Sequence, residues 1–154
     1  MTQPPEEFSG EATLEDIVQE RIRASYERLM TASRNFADED NASAVNRAYY
    51  AVFKAMIAVH AMDHHQFKRH KDAIAQFNKT YVANDLFPRK YGRAIHELEK
   101  LRNVSDYADF KTPNREQTRK AIDFAREFLH AAKAYCEEKL NIKISLPCLD
   151  RVDE

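Results

Sequence analysis

Glycine is nearly missing from this chain: Gly10 and Gly92 are the only two among 154 residues. A glycine-rich phosphate loop, a P-loop or a GxSxG nucleophile elbow needs glycines close together, so all three are excluded. A sandwich or barrel needs turn residues every 8–12 positions or so, and five prolines with two glycines do not supply them. Cysteine occurs at Cys136 and Cys148 alone, too few for a disulfide framework and too far apart for a CxxC redox or metal motif. No apolar run reaches the roughly 18 residues of a membrane span. Residues 1–10 lack the basic and apolar regions of a secretory signal. The expectation is a soluble, cytoplasmic protein. Neither sign of charge dominates: 24 basic and 25 acidic residues leave a net charge of −1, which excludes a globally basic nucleic-acid binder.

What the chain does have is alanine, glutamate, lysine, arginine and leucine in helical spacing. Its 154 residues suit one domain. Residues 1–13 read as a flexible arm, 14–140 as a helical domain and 141–154 as a loose tail or partner-binding segment. The first helix is expected over 14–36, with Ile17, Ile22, Tyr26, Leu29 and Phe36 as its buried stripe and Thr13 as its N-cap. A second, alanine-rich helix is expected over 42–62, where small side chains let a neighbour approach closely. A short helix over 68–80, a connector over 81–87, and a fourth helix over 88–107 with Pro88 in its first turn follow. Asn114 is placed to cap the last long helix, 115–140. These segments, joined by short connections, predict an all-α fold, an antiparallel bundle of four to five helices.

Charge is uneven along the chain. Residues 1–40 carry four basic and ten acidic groups, whereas 68–102 carry nine basic and four acidic. The second segment gives the fold a positive flank able to attract phosphate.

Two groups of residues carry candidate chemistry. In the fourth helix Arg102 follows Tyr91, Ile95 and Leu98 at the next four-residue step, so its stem should point toward the bundle. A guanidinium there needs partners, because burying an unpaired charge is costly. Asp106, four residues on, could pair with it and simply anchor the helix end. Alternatively the guanidinium meets a phosphate, with Tyr107 beside it to stack on a base. In the second helix Arg47, Tyr50 and Lys54 share a face that would suit a nucleotide or single-stranded RNA. The plain structural reading makes Tyr49 and Tyr50 core aromatics with Arg47 stacked on them. His60, His64, His65 and His70 fall within eleven residues but complete no zinc spacing, so no metal or other cofactor is expected and the group reads as loop histidines. His70, among Lys68, Arg69 and Lys71, is the best placed for acid–base work near pH 7.

Taken together, the run from Asn46 to Phe53, the Arg69-His70-Lys71 step, Leu101-Arg102 through Ser105-Asp106-Tyr107, and the run from Ala125 to Leu129 resemble the HEPN (higher eukaryotes and prokaryotes nucleotide-binding) family, in its small stand-alone prokaryotic branch. The similarity covers about residues 14–140. It implies a bundle that forms a homodimer and pairs with a small nucleotidyltransferase in a toxin–antitoxin or defence module. In many relatives an arginine, four residues and a histidine form a ribonuclease site across the dimer. Arg102 matches that arginine, while the histidine position holds Tyr107, whose ordinary pKa near 10 makes it a poor proton carrier at neutral pH.

The expectation is therefore a nucleotide- or RNA-binding module whose cleft is lined by Arg47, Tyr50, Lys54, His70, Lys71, Arg102, Asp106 and Tyr107. The enzymatic alternative is a metal-independent ribonuclease using Arg102 and His70. The third is a non-catalytic antitoxin or adaptor in which the Arg102–Asp106 pair is only structural.

Overall fold

The computed structural model describes residues 12–107 and 112–147, with the side chains of all but 105–107. Five α-helices and one π-helical turn are present, and no strand occurs among the described residues. The fold is all-α. Helix α1 spans Leu14–Ala37 and opens with a reciprocal capping box: the Asp16 amide donates to the Thr13 hydroxyl, and the Thr13 amide to the Asp16 carboxylate, both at 3.1 Å. Its buried face is Val18, Ile22, Ser25, Leu29 and Ala32, a regular three- and four-residue step. The stripe expected from spacing includes Ile17 instead. That residue is 37% exposed, because five residues separate it from Ile22 and turn it about 140° away.

Helix α2 spans Asn41–Met62 and is the centre of the molecule, packing against α1, α3, α4 and α5. Ala44, Ala48, Ala51, Ala55 and Ala58 have no exposed surface. With only methyl groups between the backbones, α1 comes close enough for side chains to reach α2's own carbonyls. Ser25 donates to the Ala51 carbonyl at 2.6 Å and Arg21 to that of Ile57 at 2.9 Å. Lower positions of α1 thus meet higher positions of α2, so the two run antiparallel.

The next stretch departs most from the helical periodicity. Helix α3 is His70–Phe77, and a π-helical turn at Asn78–Val82 follows it. The expected helix over 68–80 starts two residues late, and Arg69 at its N-cap makes no side-chain capping bond. Tyr81, expected in a connector, is fully buried and donates its hydroxyl to Asp63. The wider π turn rotates Tyr81 and Val82 inward. Tyr81 then joins Phe77, Phe87, Tyr91, Phe128 and Tyr135 in one continuous set of ring contacts. These rings fill the gap between the end of α2 and the last helix.

Helix α4 spans Lys90–Tyr107. Pro88 lies just before its first turn rather than in it, its carbonyl accepting from the Tyr91 amide at 3.0 Å. Tyr91, Ile95 and Leu98 are buried as the spacing predicts. Helix α5 spans Arg115–Leu140, with Asn114 and Gln117 forming a second capping box. It ends at Asn141 in the left-handed conformation (φ 57°). Where a loose tail is expected, residues 142–146 pack back on α5. The Ile144 amide donates to the Glu137 carboxylate at 2.7 Å, and the Ile144 side chain is buried. Cys136 is enclosed within α5's inner face, and burial pushes its thiol pKa up to about 12.

Histidine 60 corrects another expectation. It has no exposed surface and belongs to the core, not to a polar loop. Its Nε2 faces the Ala73 carbonyl at 3.0 Å and its Nδ1 faces His65 Nδ1 at 3.1 Å. A carbonyl only accepts, so Nε2 carries the hydrogen, and the neutral ring then accepts at Nδ1 from a His65 protonated there. This ring fastens α3 to the end of α2. Burial pushes the His60 pKa down to about 4, outweighing the Ala73 carbonyl's opposing pull. In the unfolded chain the ordinary value is near 6.5. Stability from keeping His60 neutral is therefore complete above about pH 6.5 and declines as pH falls, by about 3 kcal/mol at pH 4. Urea unfolding at pH 7, 5.5 and 4 should show this loss in the wild type and much less of it in His60→Gln. Equal acid sensitivity in the two proteins would assign the effect to other groups.

Candidate functional site

Where α2, the start of α3 and the C-terminal half of α4 meet, aromatic and cationic side chains collect. Tyr49, Tyr50 and Phe53 come from one side of α2, at spacings that place them along the edge facing α3 and α4. His70, the first residue of α3, stacks on Phe53 with ring centroids 3.8 Å apart and meets Tyr50 edge-on at 5.6 Å. Arg102 of α4 lies half-buried, with its guanidinium carbon 4.7 Å from the Tyr49 ring centre and 5.5 Å from that of Tyr50. At these distances the cation is attracted to the ring faces. Its stem points toward the bundle, as the spacing of α4 predicts.

Tyr49 joins the two chemically active groups. Arg102 lies over its ring face, and the Tyr49 hydroxyl is hydrogen-bonded to His70 Nδ1 at 3.3 Å. Burial is the main cause that raises the Tyr49 pKa to about 12, with Glu99 adding to it and Arg102 opposing. The phenol does not titrate at neutral pH. His70 is pushed below the ordinary histidine value, first by burial and then by the charges of Arg102 and Lys54, against Glu99. Lys54 is half-buried near the same ring, and burial together with Arg28 and Arg21 lowers its pKa.

The structure thus gathers four of the expected site residues, Tyr50, Lys54, His70 and Arg102. Arg47 is exposed and does not stack on either tyrosine; Arg102 occupies that position instead. Lys71 is exposed beside His70. The side chains of Asp106 and Tyr107 lie outside the described residues. Sequence reasoning missed Tyr49 and Phe53. The available signal was their four-residue spacing, which puts them on one face and places Tyr49 next to Tyr50. Among the described residues no group of three or more histidine, cysteine or acidic side chains could hold a metal ion. Nor is any helix there long and apolar enough to cross a membrane.

Comparison with known proteins agrees with this architecture. The HEPN domain family model matches residues 18–135, from the buried face of α1 to the last turns of α5. The chain is 27% identical over 124 residues to a "UPF0332 protein" of Thermotoga maritima, covering 80% of this chain and 94% of that protein. It is 30% identical over 123 residues to a protein of Methanocaldococcus jannaschii named "Putative toxin MJ0605", covering 80% and 91% respectively. The chain belongs to the HEPN domain family.

The electrostatics make a signed prediction. Removing the positive charge in Arg102→Gln should raise the His70 pKa toward the ordinary 6.5 or so, whereas Glu99→Gln should lower it further. A histidine C2-proton NMR titration reads both. An unchanged His70 in Arg102→Gln would mean that the guanidinium does not act on the imidazole.

Proposed function

We propose that the cluster of Tyr49, Tyr50, Phe53, His70 and Arg102 is a recessed site for a ribonucleotide or an RNA phosphate. The observation that carries the reading is a half-buried guanidinium held on two tyrosine faces beside a neutral imidazole. Arg102 presents planar donors that match a phosphate, and Lys54 adds a second positive charge. Tyr50 and Phe53 are half-buried rings beside the guanidinium, and a base can stack on a ring face left free there, independently of its identity. Asp106 and Tyr107, four and five residues beyond Arg102 in the sequence, are counted among the binding residues in this reading, with Lys71 at the rim. The module acts in the cytoplasm as a homodimer within a toxin–antitoxin or defence pair, with a small nucleotidyltransferase as its companion. The name of the archaeal relative supports a toxin-like role.

The chain has seven tyrosines and no tryptophan, and two of them, Tyr49 and Tyr50, lie in the cluster, so a ligand there changes part of the tyrosine fluorescence. Titrating AMP, ATP and short oligoribonucleotides should quench it in the wild type, and Arg102→Ala should lose most of that binding. Equal or negligible binding by both proteins would remove the proposal.

A second reading, metal-independent ribonuclease activity, is favoured by one observation: His70 and Arg102 both contact Tyr49. An imidazole that is neutral at pH 7 can take the proton of a ribose 2′-hydroxyl, while the guanidinium stabilises charge on the attacked phosphate. Incubation with tRNA and mRNA in EDTA decides it. Cleavage that disappears in His70→Ala supports the reading, and intact RNA after prolonged incubation sinks it.

A further inference from the structure

The end of α2, the chain that follows it and α3 all meet on one imidazole. His60 sits in the last turn of α2, and both its nitrogens are engaged: Nε2 donates to the Ala73 carbonyl of α3 at 3.0 Å, and Nδ1 accepts from His65 Nδ1 at 3.1 Å. His64 stands in the left-handed region (φ 61°), and this tight turn brings His65 back over the helix end. The Phe67 ring closes on His60 at 4.6 Å, while Phe77 and Tyr81 meet it at 6.1 and 5.5 Å.

The two imidazoles respond differently to a proton. Half-buried His65 can take one on Nε2 and go on donating through Nδ1. His60 cannot, because its Nε2 hydrogen is already in use and its other nitrogen is the acceptor. A proton there sets two N–H groups head to head and places a charge in the core. Helix α3 has little else to hold its first turn. It has eight residues, Arg69 at its N-cap makes no side-chain capping bond, and its buried residues begin only at Ala73. Its far end is fixed, by Phe77 among the core rings and by Tyr81, which donates to Asp63. The near end carries His70, stacked on Phe53 about one turn before Ala73.

We propose that the His60–His65 pair is an acid-released latch on the cleft. Once both imidazoles are charged their hydrogen bond breaks, the first turn of α3 swings away about its Phe77 end, and His70 leaves Phe53 and Tyr49 while the rest of the bundle stays folded. The opening needs no ligand, so it stands or falls independently of what the cleft binds. Two further charges face His60: Arg21 from α1 opposes a proton on it and Asp63 favours one. Helix α3 brings the Ala73 carbonyl and the Phe77 ring, and α5 enters through Tyr135, whose ring meets Tyr81 at 5.9 Å. Released, His60 titrates near the ordinary 6.5 or so; latched, it does so at about 4. The open form therefore takes up the extra proton below about pH 6.5, and going from pH 7.5 to 5.5 favours it by about tenfold.

Amide hydrogen exchange of the full chain, corrected for the intrinsic effect of pH, tests the latch. Amides at 73–77 should exchange faster than those of α1 and α5 at every pH, through an opening smaller than global unfolding. Their protection should fall at least tenfold between pH 7.5 and 5.5. Exchange no faster than in α1 and α5, or protection that ignores pH, would overturn the proposal. His60→Gln, whose amide can donate to Ala73 and accept from His65 without titrating, should lose the acid response. In His65→Gln the amide can rotate to accept from a charged His60, so the response should flatten; an undiminished response in either variant rules the latch out. His70→Ala should speed exchange at 73–77 at both pH values and keep an acid response. Unchanged exchange there would mean that the opening does not carry His70 with it, and a vanished acid response would assign the proton to His70 itself; both results overturn the proposal.

Discussion

A guanidinium half out of water has to be held in place, and in this fold the holding is done by two tyrosines on the central helix. Arg102 rests on the faces of Tyr49 and Tyr50. That contact ties α4 to α2 and keeps a positive charge beside an imidazole that is already partly desolvated. The Tyr49 hydroxyl is hydrogen-bonded to His70 Nδ1, so one ring touches both groups.

The site is also supported from behind. His70 is the first residue of α3, and α3 is fastened to α2 by the His60 ring through the carbonyl of Ala73. The π turn after α3 then carries Tyr81 into the core, where its hydroxyl meets Asp63 at the end of α2. An eight-residue helix is too short to hold its own position in water. Here the histidine, the tyrosine and the aromatic packing of Phe77 supply the anchorage that its length cannot, and the imidazole of the site inherits the placement.

Much of the architecture was readable in the sequence because it is written in short-range patterns. The Thr13–Asp16 and Asn114–Gln117 capping boxes are three-residue signals and appear where the spacing puts them. The inward course of Arg102 follows from its four-residue step after Leu98. Features that depend on more than one element were hidden. No helical period announces that Tyr81 turns inward through a π turn, or that the last turn of α2 contributes a buried histidine that fastens α3. Tyr49 looked like core and is core, at 3% exposure, yet it is also the residue linking the two candidate functional groups.

The double membership of Tyr49 has a consequence for how such a molecule can change over generations. A residue that only touches ligand can drift once the ligand is no longer used, but a ring packed among α2's neighbours is retained for its volume. A descendant that abandoned the pocket would still keep an aromatic side chain at this position, the hydroxyl being the part free to disappear. In lineages sharing this bundle, phenylalanine in place of tyrosine there would mark a lost occupation more faithfully than any change on the surface.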